Sequence, residues 1–170
     1  MKKVYKVKRS ITFPLLIAVL LSIPVFVFSV QGDAATAKLI WTFILMLLFY
    51  GFALNKIMQA ITLTPDELEF RGILGRRIVK TTDITAIEGA SMGTRQFIVI
   101  SSATGSQHFS NSLDGFAELA TSLKTMTPSG IQGSGLNDIT QSPLINRRDA
   151  LAPWIAVLVL SMLLLGNFSI

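Results

Sequence analysis

Cysteine is absent from the 170 residues, and there is one histidine, His108. Disulfides, thiolate metal sites and cysteine nucleophiles are therefore excluded, and so is any multi-histidine metal centre. Charge is scarce as well. Asp, Glu, Lys and Arg make up 15% of the chain, against about 25% in an ordinary soluble domain. No phosphate-binding fingerprint is present either. Gly72, Gly75, Gly89, Gly93 and Gly105 lack the required spacing, and Gly130, Gly133 and Gly135 are not followed by Lys-Ser/Thr. No cofactor is expected.

What remains is apolar and basic. Hydrophobic residues are 51% of the chain, the mean hydropathy is +0.58, and the net charge is +5. The hydrophobicity falls in three runs: Ile11–Val30, Leu39–Leu54 and Leu151–Ile170. A helix crosses the hydrocarbon core with about 20 apolar residues. The first and third runs meet that length, and snorkelling of Lys38 and Lys56 extends the second. Three transmembrane helices are predicted, the first two forming a hairpin over residues 11–56. None of the runs contains Asp, Glu, Lys, Arg or His, which counts against ion-coupled transport. Cleavage of the first run as a signal peptide is a minor alternative, with a weak site in Gly32–Ala37.

Lys2, Lys3, Lys6, Lys8 and Arg9 precede the first run, while the loop that follows it holds only Lys38. These five residues read as a topology signal, with a contribution from contact with anionic headgroups. The N-terminus is expected in the cytoplasm of a cell whose inner (cytoplasmic) membrane the chain crosses as a multi-pass protein. Residues 59–150 would lie on the same side, with Arg147 and Arg148 flanking the third run. That region carries eight Lys/Arg and nine Asp/Glu. Its near-neutrality argues against nucleic-acid binding.

Between the second and third runs the pattern changes to period 2. Strands are predicted at 60–64, 68–73, 76–81, 84–88, 96–101 and 106–110, separated by turn residues such as Pro65-Asp66 and Leu74-Gly75. The strand 96–101 is apolar enough to be buried on both faces. A helix follows, with Ser112 as cap and Leu113, Phe116, Ala120 and Leu123 on one face. Residues 127–149 read as a flexible, polar linker.

Short strands followed by one amphipathic helix resemble the bacterial pleckstrin-homology (PH)-like domain family of small membrane proteins. The stretches carrying the resemblance are Ile61–Arg71, Arg77–Ile87, Phe97–Ile100 and Asp114–Leu119, within residues 57–126. The resemblance implies an α+β membrane protein: three transmembrane helices with an inserted antiparallel β domain closed by one C-terminal helix. Six strands are found where a complete PH fold has seven, the seventh being hidden around Met92 or the sheet being abbreviated. The basic loop that eukaryotic PH domains use for phosphoinositides is missing, since the first hairpin turn, Thr64-Pro65-Asp66-Glu67, is acidic.

Three groups are candidates for chemistry. Asp66, Glu67 and Glu69 would form a metal or acid–base site, or a solvated hairpin edge that discourages strand pairing; we read them as the edge. His108, with Ser101, Ser102 and Ser110 near it in sequence, would be a hydrolytic base or an exposed strand residue; we read it as the latter. Arg71, Arg76, Arg77 and Lys80 are the candidate contact for headgroups or an acidic partner, or a sheet face balanced by the acidic residues. The expectation is a non-enzymatic membrane protein presenting an interaction or scaffold domain that self-associates or binds a protein partner. An anionic-lipid or small-ligand sensor is the alternative, and a hydrolase a more distant one.

Overall fold

The computed structural model describes residues 2–31, 36–144 and 148–168. The loop residues 32–35, which include most of the candidate cleavage segment, and Arg147 lie outside them. The chain divides into two compact units, one of Met1–Lys8 with Gln59–Arg147, the other of Arg9–Met58 with Arg148–Ile170.

The second unit is helical. Helix α1 spans Arg9–Gln31, α2 spans Thr36–Met58, and α5 spans Leu151–Phe168. α1 continues through Pro14 and Pro24 and packs against both α2 and α5. Ser22 and Tyr50 share a hydrogen bond of 2.9 Å between α1 and α2, and the Ser22 hydroxyl lies 2.7 Å from the Val19 carbonyl. About one turn away on each helix, Ala18 and Ala53 are completely buried. Small side chains there let two apolar helices approach closely, which is what holds helices together where lipid removes the hydrophobic driving force. Replacing Ser22 with Ala is expected to weaken the hairpin by only about 0.6 kcal/mol, the usual worth of such a bond, whereas Ala53→Leu overpacks the contact at about 1–3 kcal/mol. Thermal unfolding in detergent micelles reads both.

The expectation of three transmembrane helices is not met. Among the described residues two helices are long and apolar enough to cross a membrane, Arg9–Phe28 and Leu39–Met58. The apolar part of α5 is Leu151–Gly166, which at about 1.5 Å per residue reaches roughly 24 Å, short of a hydrocarbon core roughly 30 Å thick. The 20-residue run in the sequence ends at residues 169–170, which lie outside the described residues.

The first unit is a pair of antiparallel sheets with two helices. The first sheet has the order β1-β2-β3-β4, from Lys3–Lys6, Ala60–Leu63, Glu67–Gly72 and Gly75–Lys80. The second has the order β5-β6-β7, from Ile84–Met92, Arg95–Ser102 and Gly105–Ser110. Alternation sorts the faces. Ile61, Leu63, Leu68 and Val79 point in from the first sheet, and Ile84, Ile87, Ile98, Ile100 and Phe109 from the second, all buried. The Phe70 and Phe109 rings meet at 6.0 Å. β6 is less two-sided than its composition suggests, since Phe97 and Val99 are only half-buried.

Three features depart from the sequence reading. A seventh strand exists, but it is the basic tail, not the region around Met92, which is the end of β5. β1 pairs Tyr5 with Ile61 and Lys6 with Ala60, and Val7 then bridges to Leu113. The β unit is therefore assembled from both sides of the α1–α2 hairpin and is not a simple insertion. Next, helix α3 runs Phe116–Met126, with Gly115 at its N-cap. Ser112 does not cap it, its hydroxyl meeting Ser110 at 2.8 Å. Finally, the stretch read as a linker contains helix α4, Ser134–Gln141, whose Leu136 and Ile139 are fully buried. α4 packs against β5 and α3, so two helices, not one, follow the strands.

Candidate functional site

The register of the first sheet decides what the basic hairpin can do. Cross-strand partners are Lys6 with Ala60, Ala60 with Arg71, and Arg71 with Arg76. Alternation turns these side chains to the outer face, opposite the buried Tyr5, Ile61 and Leu68. The result is one row across four strands, Lys6–Ala60–Arg71–Arg76, with three cations on it. The next row holds Val4, Thr62, Glu69 and Ile78, and a third row pairs Glu67 with Lys80. Cations thus lead at the Gly72–Gly75 end of the sheet and the acids lie behind them. Arg76 Nε reaches back to Glu69 Oε1 at 2.7 Å.

Of the four predicted basic residues, Arg71, Arg76 and Lys80 share the outer face. Arg77 is on the other face, where it donates to the Thr104 carbonyl in the β6–β7 turn. It ties the two sheets together and is not part of the charged face. The sequence reading missed Lys6, which only strand pairing brings to Arg71. It also missed the hairpin tip. Ile73 is 41% exposed and Leu74 fully exposed, lifted there by a turn that needs Gly75 at φ 115°, a conformation an L side chain resists.

Two other lysines of the tail make structural contacts. Lys3 Nζ donates to Glu118 Oε1 on α3 at 2.6 Å, and Lys8 Nζ to the Asn111 carbonyl at 2.9 Å. The bond and the charge of Glu118 hold the Lys3 ammonium above its ordinary pKa of 10.5. A raised lysine pKa gives stability that is complete below the unfolded value and fades as pH climbs through the folded one. Thermal melts between about pH 6 and pH 9 are therefore expected to show no inflection from this pair.

The other candidates do not assemble into chemistry. Asp66 and Glu67 belong to a turn that Thr64 staples, its N–H donating to the Glu67 carbonyl at 2.9 Å and its hydroxyl to the same oxygen at 2.8 Å. Among the described residues no group of three or more His, Asp or Glu is placed to hold a metal ion. His108 is exposed on β7 opposite Val99. The hydroxyls of Ser101 and Ser110 pair with those of Ser106 and Ser112. A cleft of about 510 Å³ lies beside α1, lined by residues such as Phe26, Phe49, Ile155 and Val159 with no ionisable group.

Two buried polar residues have a clear task. Gln96 Nε2 donates to the Ser142 carbonyl, and the Leu144 N–H donates to Gln96 Oε1, both at 2.9 Å. Asn111 Nδ2 donates to the Thr94 and Leu144 carbonyls at 3.0 and 3.1 Å. Together they strap the chain after α4 onto the second sheet. Gln96→Leu removes both of its bonds, and at about 1–3 kcal/mol for the groups stranded the strap is expected to loosen. Faster hydrogen exchange at the Leu144 amide is the direct readout.

Comparison with protein-family models, with curated proteins and with solved structures finds no match to this chain.

Proposed function

We propose that the chain is a membrane-anchored, non-catalytic interaction module, with a pleckstrin-homology-like β unit held at the cytoplasmic face of a bacterial inner membrane. The observation carrying this is continuity. The two span-length helices, α1 and α2, join the two adjacent strands β1 and β2 with only Val7-Lys8 and Gln59 between them. Two short tethers therefore join the β unit to the span-length helices. Seven strands in sheets of four and three, followed by the amphipathic α3, support the PH-like reading. Five basic residues up to Arg9, against Lys38 alone between the apolar runs of α1 and α2, support the orientation.

Self-association by strand pairing through β4 is disfavoured. β4 is six residues long and carries Arg76, Arg77 and Lys80, and β5 is covered by the Gly133 N–H on the Ile87 carbonyl at 2.8 Å. Short, cationic or covered edges resist edge-to-edge pairing. Contacts with a partner or a second copy would then be made by faces, by turns or by the β1 and β7 edges.

Cross-linking in native membranes, followed by light scattering of the full chain in mild detergent, tests the reading. A reproducible protein neighbour or a defined oligomer is expected, and a strict monomer with no neighbour removes it. The absence of cysteine makes orientation testable by single-cysteine labelling of intact cells. Asp33→Cys should label from outside and Met92→Cys only after permeabilisation; external labelling at Met92→Cys would invert the orientation.

A further inference from the structure

We propose that the β3–β4 hairpin is a membrane-surface probe, with Leu74 entering the interfacial layer of an anionic bilayer while Lys6, Arg71 and Arg76 bind lipid headgroup phosphates. This goes beyond the interaction module proposed above and rests on different observations. Leu74 is fully exposed at the tip of a tight turn, with Ile73 41% exposed beside it, so the tip presents two adjacent apolar side chains. Three cations are aligned in one row directly behind that tip, spread over strands spaced about 4.8 Å apart. The acids on the same face, Glu69 and Glu67, and the further cation Lys80 are set one and two rows back. An apolar tip followed by a cationic rim matches the order a bilayer surface presents in reverse, with phosphates outside and acyl chains beneath.

Chain connectivity names the surface. Arg9, the first residue of α1, is three residues beyond Lys6, and Met58, the last of α2, is two before Ala60. Only Val7-Lys8 on one side and Gln59 on the other lie between the Lys6–Ala60 pair and the span-length helices along the chain. Gly72–Gly75 closes the same end of the sheet, since Gly72 and Gly75 follow the Arg71–Arg76 pair. The one hairpin of the first sheet with an apolar tip is thus at the end from which the chain leaves for its span-length helices. Each Lys or Arg near an anionic surface is worth about fivefold in partition, so neutralising three should shift the docked population on the order of 100-fold.

The test uses the full chain in lipid nanodiscs, carrying a fluorophore on Leu74→Cys as its single cysteine. Quenching by nitroxide-labelled lipid reports entry into the interface. A second protein labelled at Met92→Cys is the control, because Met92 is 74% exposed at the β5–β6 turn, the opposite end of β6 from the turn that Arg77 holds. In discs containing phosphatidylglycerol the label at 74 should be quenched several-fold more than the label at 92. That excess should disappear in phosphatidylcholine discs and in the K6Q/R71Q/R76Q background. Equal quenching at the two positions in anionic discs overturns the proposal. Protection at 74 that ignores lipid charge and grows with protein density also overturns it, and assigns the tip to a second copy of the chain. The first outcome leaves the cross-linking test of the interaction module untouched, and the second, a contact between copies, agrees with that module while removing the lipid contact.

Discussion

Gly135→Ala is expected to strip α4 from the sheet, although helix propensity argues the other way. Gly135 lies in the first turn of α4, where Ala ordinarily stabilises a helix by about 1 kcal/mol. Here a Cβ would collide with the carbonyl of Gly89 on β5, and a Cβ on Gly89 would meet the backbone of Gly135 and Leu136. Both partners are main chain, so neither can rotate away. Overpacking of this kind costs about 1–3 kcal/mol, which exceeds the propensity gain and reverses the sign. The clash also prises out Leu136 and Ile139, and burial of each contributes about 1.5–3 kcal/mol. The net loss should therefore reach about 3 kcal/mol. Gly89→Ala should behave alike, and Gly130→Ala, with nothing within 4 Å of its Cβ, should be neutral. Thermal unfolding in micelles and hydrogen exchange at Leu136 and Ile139 read the effect. An unchanged melting point for Gly135→Ala would mean that α4 does not sit on β5.

That glycine pair also shows where the sequence stops being legible. Strands β2 to β7 are readable because period-2 alternation and turn residues are local signals. Ile61-Thr62-Leu63 and Leu68-Glu69-Phe70 declare their faces without reference to anything distant. α4 gives no such signal. It has eight residues, few of them apolar, and one buried pair, Leu136 and Ile139, so composition reads it as linker. Its stability comes from a close backbone approach that two glycines permit, and from Gln132, whose Nε2 donates to the Lys124 and Thr127 carbonyls at 2.8 and 2.6 Å at the end of α3. These contacts depend on tertiary geometry, which no local window contains.

The basic residues were legible as charge but not as a surface. Arg71, Arg76, Arg77 and Lys80 are close in sequence, yet the pleat turns Arg77 away. Lys6 lies far away in sequence and joins the row only through the β1–β2 register. The membrane runs were legible as hydrophobicity, and among the described residues two of the three, in α1 and α2, form helices of span length, while the apolar stretch of α5 is Leu151–Gly166. The tail carried two messages at once. Five cations ahead of an apolar run read as a topology signal, and that strong reading concealed the alternation Val4-Tyr5-Lys6-Val7 of a strand.

The tail's structural part can be isolated at Tyr5. Its side chain is 4% exposed, and its ring lies 3.2 Å from where a Cβ on Gly115 would be. Gly115 holds φ 69° at the start of α3, so Tyr5 packs into space that this glycine leaves open. Tyr5→Ala should cost about 3–5 kcal/mol, as for other large aromatic truncations, because β1 loses its one large buried contact. The hydroxyl behaves differently. Tyr5 Oη is buried and has no hydrogen-bond partner among the described residues, and a stranded polar group costs about 1–3 kcal/mol. Tyr5→Phe keeps the ring and removes the stranded group, so it should be neutral or stabilising. Val4, half-exposed on the opposite face of the same strand, supplies the control, and Val4→Ala should change little. Melting points are therefore expected in the order Tyr5→Phe at or above wild type, Val4→Ala near it, and Tyr5→Ala far below. A tail that serves only as a charge signal would leave all three equal, since none of the substitutions alters the charge.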